Sequence, residues 1–382
     1  MERARFTEEH ELFRTGVREF VNREITPALA NWEQQGRIDP QLWRAAGKQG
    51  LLGLTVPEEY GGEGCSDYRF RCVVMDELAE AAAASVNVAL GGFDDLVAPY
   101  LVDLGTEEQK RRWLPGLCSG ERTAAIAMTE PDAGSDLRGI RTTAVRDGDH
   151  WVLNGAKTFI TGGGHAGLVI VVARTHPEAG SRGFSLLVVE EGMPGFTRGQ
   201  ALDKLGQRAE DVSELFFDDV HVPVTNLLGN EGGGFGHLME RLPRERMSIA
   251  YYALTTAEAA LRWTVDHVKS RRAFGQPIAE FQNTKFTLAE IVTELEVTRA
   301  YLDQCVDALT AGTLSATDAA KAKWWATELQ QRVISRCLQL HGGYGYMREY
   351  PIARAFVDAR VSTIYGGTTE IMKEIIGRHV IA

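Results

Sequence analysis

The hydrophobic pattern of this chain changes twice along its length. Up to about residue 120 the apolar residues have helical spacing, and threonine followed by acidic residues at 7–9 and 106–108 is typical of a helix start. Between residues 122 and 229, short β-branched or aromatic runs are separated by turn residues. Helical spacing then returns over long segments, with one apolar face formed by Ala250, Leu254, Ala257, Leu261, Val265 and Val268.

These changes predict an α+β protein with three domains. Residues 1–121 would form an N-terminal α-helical domain, and residues 230–382 a C-terminal four-helix bundle, since long amphipathic helices usually pack in that way. Residues 122–229 would form a middle domain. An antiparallel β-sheet or small barrel is favoured there, because no helix of useful length separates the strand-like runs.

Composition and charge narrow the class of protein. Apolar residues make up 44% and charged residues 24%, which is ordinary for a folded globular chain. A formal net charge of −11 disfavours sequence-independent binding to nucleic acid or to an anionic membrane. The five cysteines show no CxxC spacing, so we expect free thiols rather than a disulfide framework or a metal site. Without a targeting signal or a long apolar run, a cytoplasmic protein without membrane insertion is expected.

Four segments carry residues that could act chemically, and each has an ordinary structural alternative. The small-residue loop at 129–136 could bring backbone amides against a ligand, or could be a simple turn. The arginines at 271–272 could bind a diphosphate, or could complement a helix C-terminus. His341, beside two glycines, is more typical of a structural histidine at a helix C-cap than of a catalyst. Residues 366–369 would cap the last helix.

Taken together and in this order, the segments carry a resemblance to a known family. The motifs are Ala-Met-Thr-Glu-Pro with Ser-Asp at 127–136, Lys-Thr-Phe-Ile-Thr at 157–161, Arg-Arg-Ala-Phe-Gly at 271–275, Gln-Leu-His-Gly-Gly at 339–343 and Ile-Tyr-Gly-Gly-Thr at 364–368. With these motifs in an α-β-α arrangement, the chain resembles the acyl-CoA dehydrogenase family along essentially its whole length.

The resemblance implies an FAD cofactor between the strand-rich domain and the bundle, and oxidation of an acyl thioester to its trans-2-enoyl thioester. A base would remove the α-proton while hydride leaves Cβ for flavin N5. Many members carry tryptophan where Phe159 stands. Phenylalanine would keep an aromatic face beside the flavin but would lack the N–H donor of the indole ring. The residues that the resemblance places around the flavin are Ile126, Met128, Thr129, Ser135, Phe159 and Thr161.

The resemblance also assigns residues to the rest of the cofactor and to the substrate. Thr368 and Glu370 would close the cofactor site from the C-terminus, and no metal is implied. The FAD phosphates and adenosine would be held across a dimer interface by Arg271, Phe274, Gln282, Gln339, Gly342 and Gly343. The substrate would contact Ser135, Arg246, Tyr365 and Gly366, with Ser135 and Arg246 on the CoA side.

The position of the catalytic base differs in this chain from the position that is commonest in the family. Most members carry glutamate directly after the motif tyrosine, whereas this chain has Gly366 after Tyr365. In the long-chain and isovaleryl branches the carboxylate lies on the helix that opens the bundle, and Glu245 occupies that place. Burial would raise the pKa of such a base, and Gly366 would still supply an amide to the thioester carbonyl. The ordinary alternative is a carboxylate near a helix N-terminus that is stabilised by the helix dipole or paired with Arg244 or Arg246.

Substrate and partners follow from the resemblance alone. The Tyr-Gly-Gly-Thr motif at 365–368 and the Glu-Arg pair at 245–246 place the chain nearest the long-chain branch, which implies a medium- to long-chain acyl-CoA. A carrier-protein-tethered acyl group, an oxygen-using flavin oxidase or hydroxylase, and a non-catalytic interaction protein are the alternatives. Members are usually homotetramers that pass electrons to an electron-transfer flavoprotein.

Overall fold

The first part of the chain is helical, as its spacing predicts. A computed structural model describes residues 6–381. Its N-terminal helices are α1 (Glu8–Phe20), α2 (Leu29–Gln35), α3 (Gln41–Lys48), α4 (Arg69–Glu80), α5 (Ala84–Gly91), α6 (Ala98–Leu104) and α7 (Glu107–Cys118). Thr106 begins α7, since its Oγ1 accepts from the amide of Gln109 at 3.2 Å and the Gln109 side chain accepts from the Thr106 amide at 2.9 Å. This reciprocal pair is a capping box.

The middle of the chain forms one eight-stranded sheet. Its strands are β1 (Ala124–Ala127), β2 (Thr143–Asp147), β3 (His150–Thr161), β4 (Leu168–Arg174), β5 (Phe184–Glu190), β6 (Phe196–Ala201), β7 (Val212–Pro223) and β8 (Leu227–Leu228). The order is β6-β7-β3-β2-β4-β5-β8, and β1 pairs with β4 outside this path.

The prediction of a strand-rich middle region is confirmed, and one correction concerns the direction of its strands. The sheet is mixed and open rather than wholly antiparallel or closed, because β1 runs parallel to β4 and the start of β2 also pairs parallel with the end of β4. A parallel pair needs a long crossover connection. Here the β2–β3 hairpin supplies that connection, so no helix is required between β1 and β4.

The two central strands β4 and β5 are buried on both faces, which explains their continuous apolar sequences. Alternate residues of a strand point to opposite faces. In β4, Leu168, Ile170 and Val172 pack into the large core shared with the helices. Val169 and Val171 pack into a second core on the other face of the sheet. The sheet therefore lies between two hydrophobic cores.

The last part of the chain forms the predicted helical bundle. Its helices are α8 (Gly234–Ser270), α9 (Gln282–Thr310), α10 (Ala316–His341), α11 (Pro351–Ala359) and α12 (Thr369–Ile381), with a short hairpin of β9 (Arg272–Ala273) and β10 (Gln276–Pro277) after α8. Helix α8 packs against α9 and α10, and also against α4 of the first region. The N-terminal half of α8 is thereby held where all three regions meet.

Three further observations bear on the sequence predictions. His341 ends α10 buried, with Nε2 3.2 Å from the hydroxyl of Thr264, so it is the structural histidine that was expected. All five cysteines are free thiols, with Cys65 half-buried and the others buried. Across residues 6–381, none of the helices combines the length and apolar character needed to span a bilayer. The domain boundaries at residues 121 and 229 stay predictions.

Candidate active site

A cavity of about 590 Å³ lies where the helical region, the sheet and the bundle meet. This volume is in the range of small-molecule sites. Its walls come from α5 and the π-helical turn Gly92–Val97, from β1 and the loop after it, from β3, and from α8 and α12. The sequence-predicted residues that line it are Ile126, Met128, Thr129, Ser135, Phe159, Thr161, Glu245, Arg246, Tyr365 and Gly366.

The loop after β1 is fastened to β3 by a buried ion pair. The Nζ atom of Lys157 lies 2.9 Å from Glu130 Oε1 and 2.9 Å from the Met128 carbonyl oxygen. The Glu130 carboxylate also accepts from the amides of Arg141 and Thr142. Burial opposes ionisation, yet Lys157 and these amide donors hold the pKa of Glu130 below its ordinary value. The pair therefore fixes the loop that carries Thr129 and Ser135.

Phe159 faces the cavity from a strained backbone position. Its φ is 57°, in the left-handed region that non-glycine residues rarely occupy, and it sits at an irregularity in the β3–β7 pairing. The side chain is 66% exposed although the neighbouring Ile160 is buried. An aromatic ring turned outward at the expense of backbone strain is typical of a binding site.

Glu245 lies in α8 with only 4% of its surface exposed, in the wall of the cavity. Tyr100 of α6 donates a long hydrogen bond to its Oε1 at 3.4 Å. Burial raises the pKa of Glu245 to about 7, with a smaller contribution from Asp95, against the opposing effects of Arg246 and Tyr100. Within residues 6–381, Glu245 forms no hydrogen-bonded ion pair with Arg244 or Arg246, although the charge of Arg246 still favours the ionised carboxylate.

The turn that contains Gly366 is suited to glycine rather than glutamate. Gly366 has a φ of 64° and Gly367 a φ of 98°, which strain any residue with a Cβ atom. A Cβ at position 366 would also lie 2.5 Å from Ile249 Cδ1. Arg246, from the helix opposite, donates through Nε to the Gly366 carbonyl at 3.3 Å. The backbone therefore adopts a conformation that suits the loss of the usual glutamate.

Behind the cavity lies a buried polar network that sequence reasoning missed. Asp95, in the π-helical turn, accepts from Arg71 Nε at 2.9 Å, from the Ser248 hydroxyl at 2.6 Å and from the Tyr68 hydroxyl at 3.1 Å. Ser248 and Asn87 of this network also line the cavity. The signal in the sequence is the pair of aspartates at 94–95, which interrupts an otherwise apolar segment.

The remaining predicted residues lie outside the cavity. Thr368 caps α12, since its Oγ1 accepts from the Ile371 amide at 3.3 Å, and Glu370 is exposed in the first turn of that helix. A second, exposed group lies around the end of α8 and the end of α10, where the Arg271 guanidinium is 5.4 Å from the ring centre of Tyr344. The exposed predicted residues are Arg271, Phe274, Gln282, Gln339, Gly342 and Gly343.

Comparison with known proteins identifies the family. The sequence profiles of the acyl-CoA dehydrogenase N-terminal, middle and C-terminal domains match residues 7–121, 125–220 and 232–381. The chain therefore belongs to the acyl-CoA dehydrogenase family, as its motifs predicted, and is an oxidoreductase that acts on CH–CH groups.

Individual relatives are similar over most of their length. The chain is 47% identical over 378 residues to the mitochondrial long-chain specific acyl-CoA dehydrogenase of Sus scrofa, covering 98% of this chain and 87% of that protein. It is 40% identical to an acyl-CoA dehydrogenase of Bacillus subtilis, covering 98% of each chain. The crystal structure of an acyl-CoA dehydrogenase from Geobacillus kaustophilus superimposes with a TM-score of 0.96 at 47% identity, covering 99% of this chain and 100% of that one.

The enzymes of this family depend on FAD, and the cavity fits that cofactor. Its volume suits a planar ring system together with part of a substrate. The exposed ring of Phe159 offers a flat apolar face. At Gly134, in the loop beside Ser135, a Cβ would meet no atom within 4 Å, so the backbone there is open to a ligand.

Proposed function

We propose that this chain catalyses α,β-dehydrogenation of medium- to long-chain acyl-CoA, with Glu245 as the base that removes the α-proton. The observation that carries the proposal is the buried carboxylate of Glu245 in the wall of the cavity, opposite a turn whose usual glutamate is absent at Gly366. Its pKa near 7 suits a base, because a carboxylate with an ordinary pKa would hold a proton too weakly.

In this proposal the chain's own residues bind, orient and deprotonate the substrate. Glu245 takes the α-proton onto a carboxylate oxygen, and Tyr100 orients that carboxylate through its hydrogen bond. The amide of Gly366 donates to the thioester carbonyl and stabilises the negative charge that develops there. Ser135 and Arg246 contact the CoA side of the substrate, and Tyr365 lines the same wall.

Bound FAD supplies the acceptor for the hydride that leaves Cβ. The residues that would hold its ring system are those on β1, on the loop after it and on β3, where Phe159 provides the aromatic face. The exposed group around Arg271 would hold the phosphates and adenosine of a partner subunit's FAD, in a homotetramer that passes electrons to an electron-transfer flavoprotein. If two subunits share each FAD in this way, every chain needs two separate groups of residues. One holds the ring system of its own FAD, and the other holds the phosphates and adenosine of its partner's FAD.

The wall formed by α5 and the π-helical turn would receive the acyl chain. Apart from Asn87, the residues of this wall that face the cavity are apolar or small, among them Val88, Gly92 and Leu96. A Cβ on Gly92 would meet no atom within 4 Å, so open space adjoins this backbone. Each buried methylene contributes about 0.8 kcal/mol, so space along an apolar wall selects for chain length.

An anaerobic titration of the purified holoenzyme with acyl-CoAs of graded length tests the proposed function. We expect the flavin absorbance to bleach on addition of medium- and long-chain esters, with little change for the shortest. If no acyl-CoA bleaches a flavin that dithionite reduces normally, acyl-CoA dehydrogenation is wrong for this chain. Bleaching by carrier-protein-tethered acyl groups alone would then favour that substrate class.

Filling the space beside Gly92 should shorten the preferred acyl chain. With Gly92→Phe we expect KM to rise for the longest substrates by roughly fourfold for each methylene excluded, while the shortest substrates are little affected. Gly92→Ala should have a smaller effect in the same direction. Gly236→Phe is the matched control, because Gly236 is also helical with open space at Cβ but does not line the cavity. Equal length profiles for Gly92→Phe and Gly236→Phe would place the acyl chain elsewhere.

A further inference from the structure

The acyl wall, formed by α5 and the π-helical turn Gly92–Val97, contains a polar side chain that the proposed mechanism does not use. Asn87 lies in α5 with only 6% of its surface exposed, and it lines the cavity together with Val88 and Gly91 of the same helix. A buried amide that faces a hydrocarbon chain without a hydrogen-bond partner is costly. Its place among apolar residues therefore calls for an explanation.

A buried arginine fixes the orientation of the Asn87 amide. Arg71 Nη2 donates to Asn87 Oδ1 at 3.0 Å and to the Asn87 carbonyl oxygen at 3.3 Å. A guanidinium group only donates, so the oxygen of the amide must face Arg71 and its NH₂ group must face away. In the part of the chain that the structure describes, Asn87 Nδ2 donates to no acceptor. This donor is therefore available to a ligand in the cavity.

Ser248 of α8 supplies an acceptor in the same cavity. It is 8% exposed, and its hydroxyl donates to Asp95 Oδ2 at 2.6 Å. The lone pairs of this hydroxyl accept from no donor among residues 6–381. Ser248 follows Glu245 by three residues, so both lie on one face of α8, about 4.5 Å apart along its axis. Because Asp95 belongs to the π-helical turn, Ser248 lies toward the acyl wall.

The free donor and the free acceptor are held by one network. Arg71 also donates through Nε to Asp95 Oδ2 at 2.9 Å, and this is the oxygen that accepts from Ser248. Only the backbone of Gly91 separates this ion pair from the cavity, since a Cβ there would lie 2.7 Å from Arg71 Nη2 and 3.1 Å from Asp95 Oδ2. Arg71 and Asp95 neutralise each other, so the network presents neutral hydrogen-bonding groups to the cavity.

We propose that Asn87 and Ser248 form a hydrogen-bonding subsite in the acyl wall, which selects acyl-CoAs that carry a hydroxyl group beyond the β-carbon. A hydroxyl group fits both partners, because it accepts from the Asn87 amide and donates to the Ser248 oxygen. An oxo group can only accept, and an ionised carboxylate would meet a cation that is already paired. The inference rests on the proposed function, because it assumes that the acyl chain lies along this wall.

Esters of one chain length test the subsite. Purified holoenzyme is assayed with decanoyl-CoA and with decanoyl-CoA that carries one hydroxyl group at each carbon from C4 to C10 in turn, and kcat/KM is measured with an artificial electron acceptor. At one position we expect the hydroxyl group to raise kcat/KM by about five- to a hundredfold, because it pairs buried groups that a plain chain leaves unpaired. At positions that face the apolar residues it should lower kcat/KM.

Two variants assign the preference to its residues. Asn87→Leu should abolish the gain at the favoured position and raise kcat/KM for plain decanoyl-CoA by about two- to fivefold, since no unpaired amide then faces the chain. Ser248→Ala should lower kcat/KM for the hydroxyl ester more than for the matching oxo ester, which donates no hydrogen bond. The control is Asn31→Leu, because Asn31 is exposed on α2 and should leave the whole profile unchanged. A gain that persists in Asn87→Leu would overturn the inference.

Asn87→Asp is decisive if Asn87→Leu does not fold or does not retain FAD. Aspartate keeps an oxygen for Arg71 and lacks the donor, so kcat/KM for the oxo ester should fall relative to plain decanoyl-CoA. An unchanged ratio of these two values in Asn87→Asp would show that Asn87 does not donate to the chain. If the wild-type protein oxidises none of the esters, the proposed function fails, and not the subsite alone. If it oxidises decanoyl-CoA and no hydroxyl position raises kcat/KM, only the subsite is wrong.

Discussion

Glu245→Gln should lower turnover by about 10²–10⁴-fold while leaving the flavin bound, because glutamine keeps the size and hydrogen-bonding shape of the side chain but cannot accept the α-proton. The measurement is stopped-flow bleaching of the flavin on mixing with a long-chain acyl-CoA under anaerobic conditions. Substrate affinity should change much less than the rate of bleaching, since the residues proposed to bind substrate remain.

Glu240→Gln is the control for this variant. Glu240 lies on the same helix but is exposed and pairs with Arg241, so its loss should leave the rate of bleaching unchanged. Near-normal bleaching in Glu245→Gln with intact flavin would show that another group is the base. A tight complex without bleaching would place the defect at proton removal.

The raised pKa of Glu245 gives the same variant a pH signature. The carboxylate must be ionised to accept a proton, so kcat/KM should rise with pH through about 7 in the wild-type protein and lose this step in Glu245→Gln.

The same pKa predicts how the stability of the protein depends on pH. In the folded protein the pKa of Glu245 lies above the ordinary value of about 4.3, so the folded state holds this proton more tightly than the unfolded state. The stabilisation that comes from this tighter binding of the proton is complete at low pH and is lost as pH rises from about 4 to 7. Glu245→Gln should therefore gain thermal stability relative to wild type at pH 8 and not at pH 4.

Local pattern predicts the helices and strands of this fold better than it predicts their pairing. The apolar spacing of α8 and the continuous apolar run of β4 specify these elements because each buries a face, or both faces, of one segment. The parallel pairing of β1 with β4 depends instead on residues about forty positions apart and on a crossover made of strands. No local pattern carries that information, so the sequence predicts the antiparallel pairs of the sheet but not this parallel pair.

The same distinction explains which site residues the sequence could indicate. Glu245 and Phe159 stand at motif positions, so their place in the cavity could be predicted. Tyr100 contacts Glu245 from a distant segment, and its neighbours in the sequence do not distinguish it from other buried residues. The aspartates at 94–95 indicate a buried polar site, but the sequence does not show which groups Asp95 contacts. The polar networks behind a site are assembled by tertiary packing, and only the structure shows that they converge on the cavity.

Lys157→Met should lower the free energy of unfolding by about 3–5 kcal/mol, because it leaves the buried carboxylate of Glu130 without its partner. The Glu130–Lys157 pair also fastens the loop that carries Thr129 and Ser135, so the variant should lose FAD more readily. Urea denaturation measures the first effect, and flavin released on gel filtration measures the second. Lys110→Met is the control, since its exposed pair with Glu107 should contribute less than about 1 kcal/mol.

The double variant Lys157→Met with Glu130→Gln separates the ion pair from its packing. Removing both charges should restore part of the lost stability, since no unpaired charge remains buried, although the amides of Arg141 and Thr142 keep a weaker acceptor. Flavin retention should recover less than stability does, because the Met128 carbonyl still lacks the ammonium donor that fixes the loop. If the double variant is no more stable than Lys157→Met, the cost lies in lost packing around the lysine stem and not in the unpaired charge.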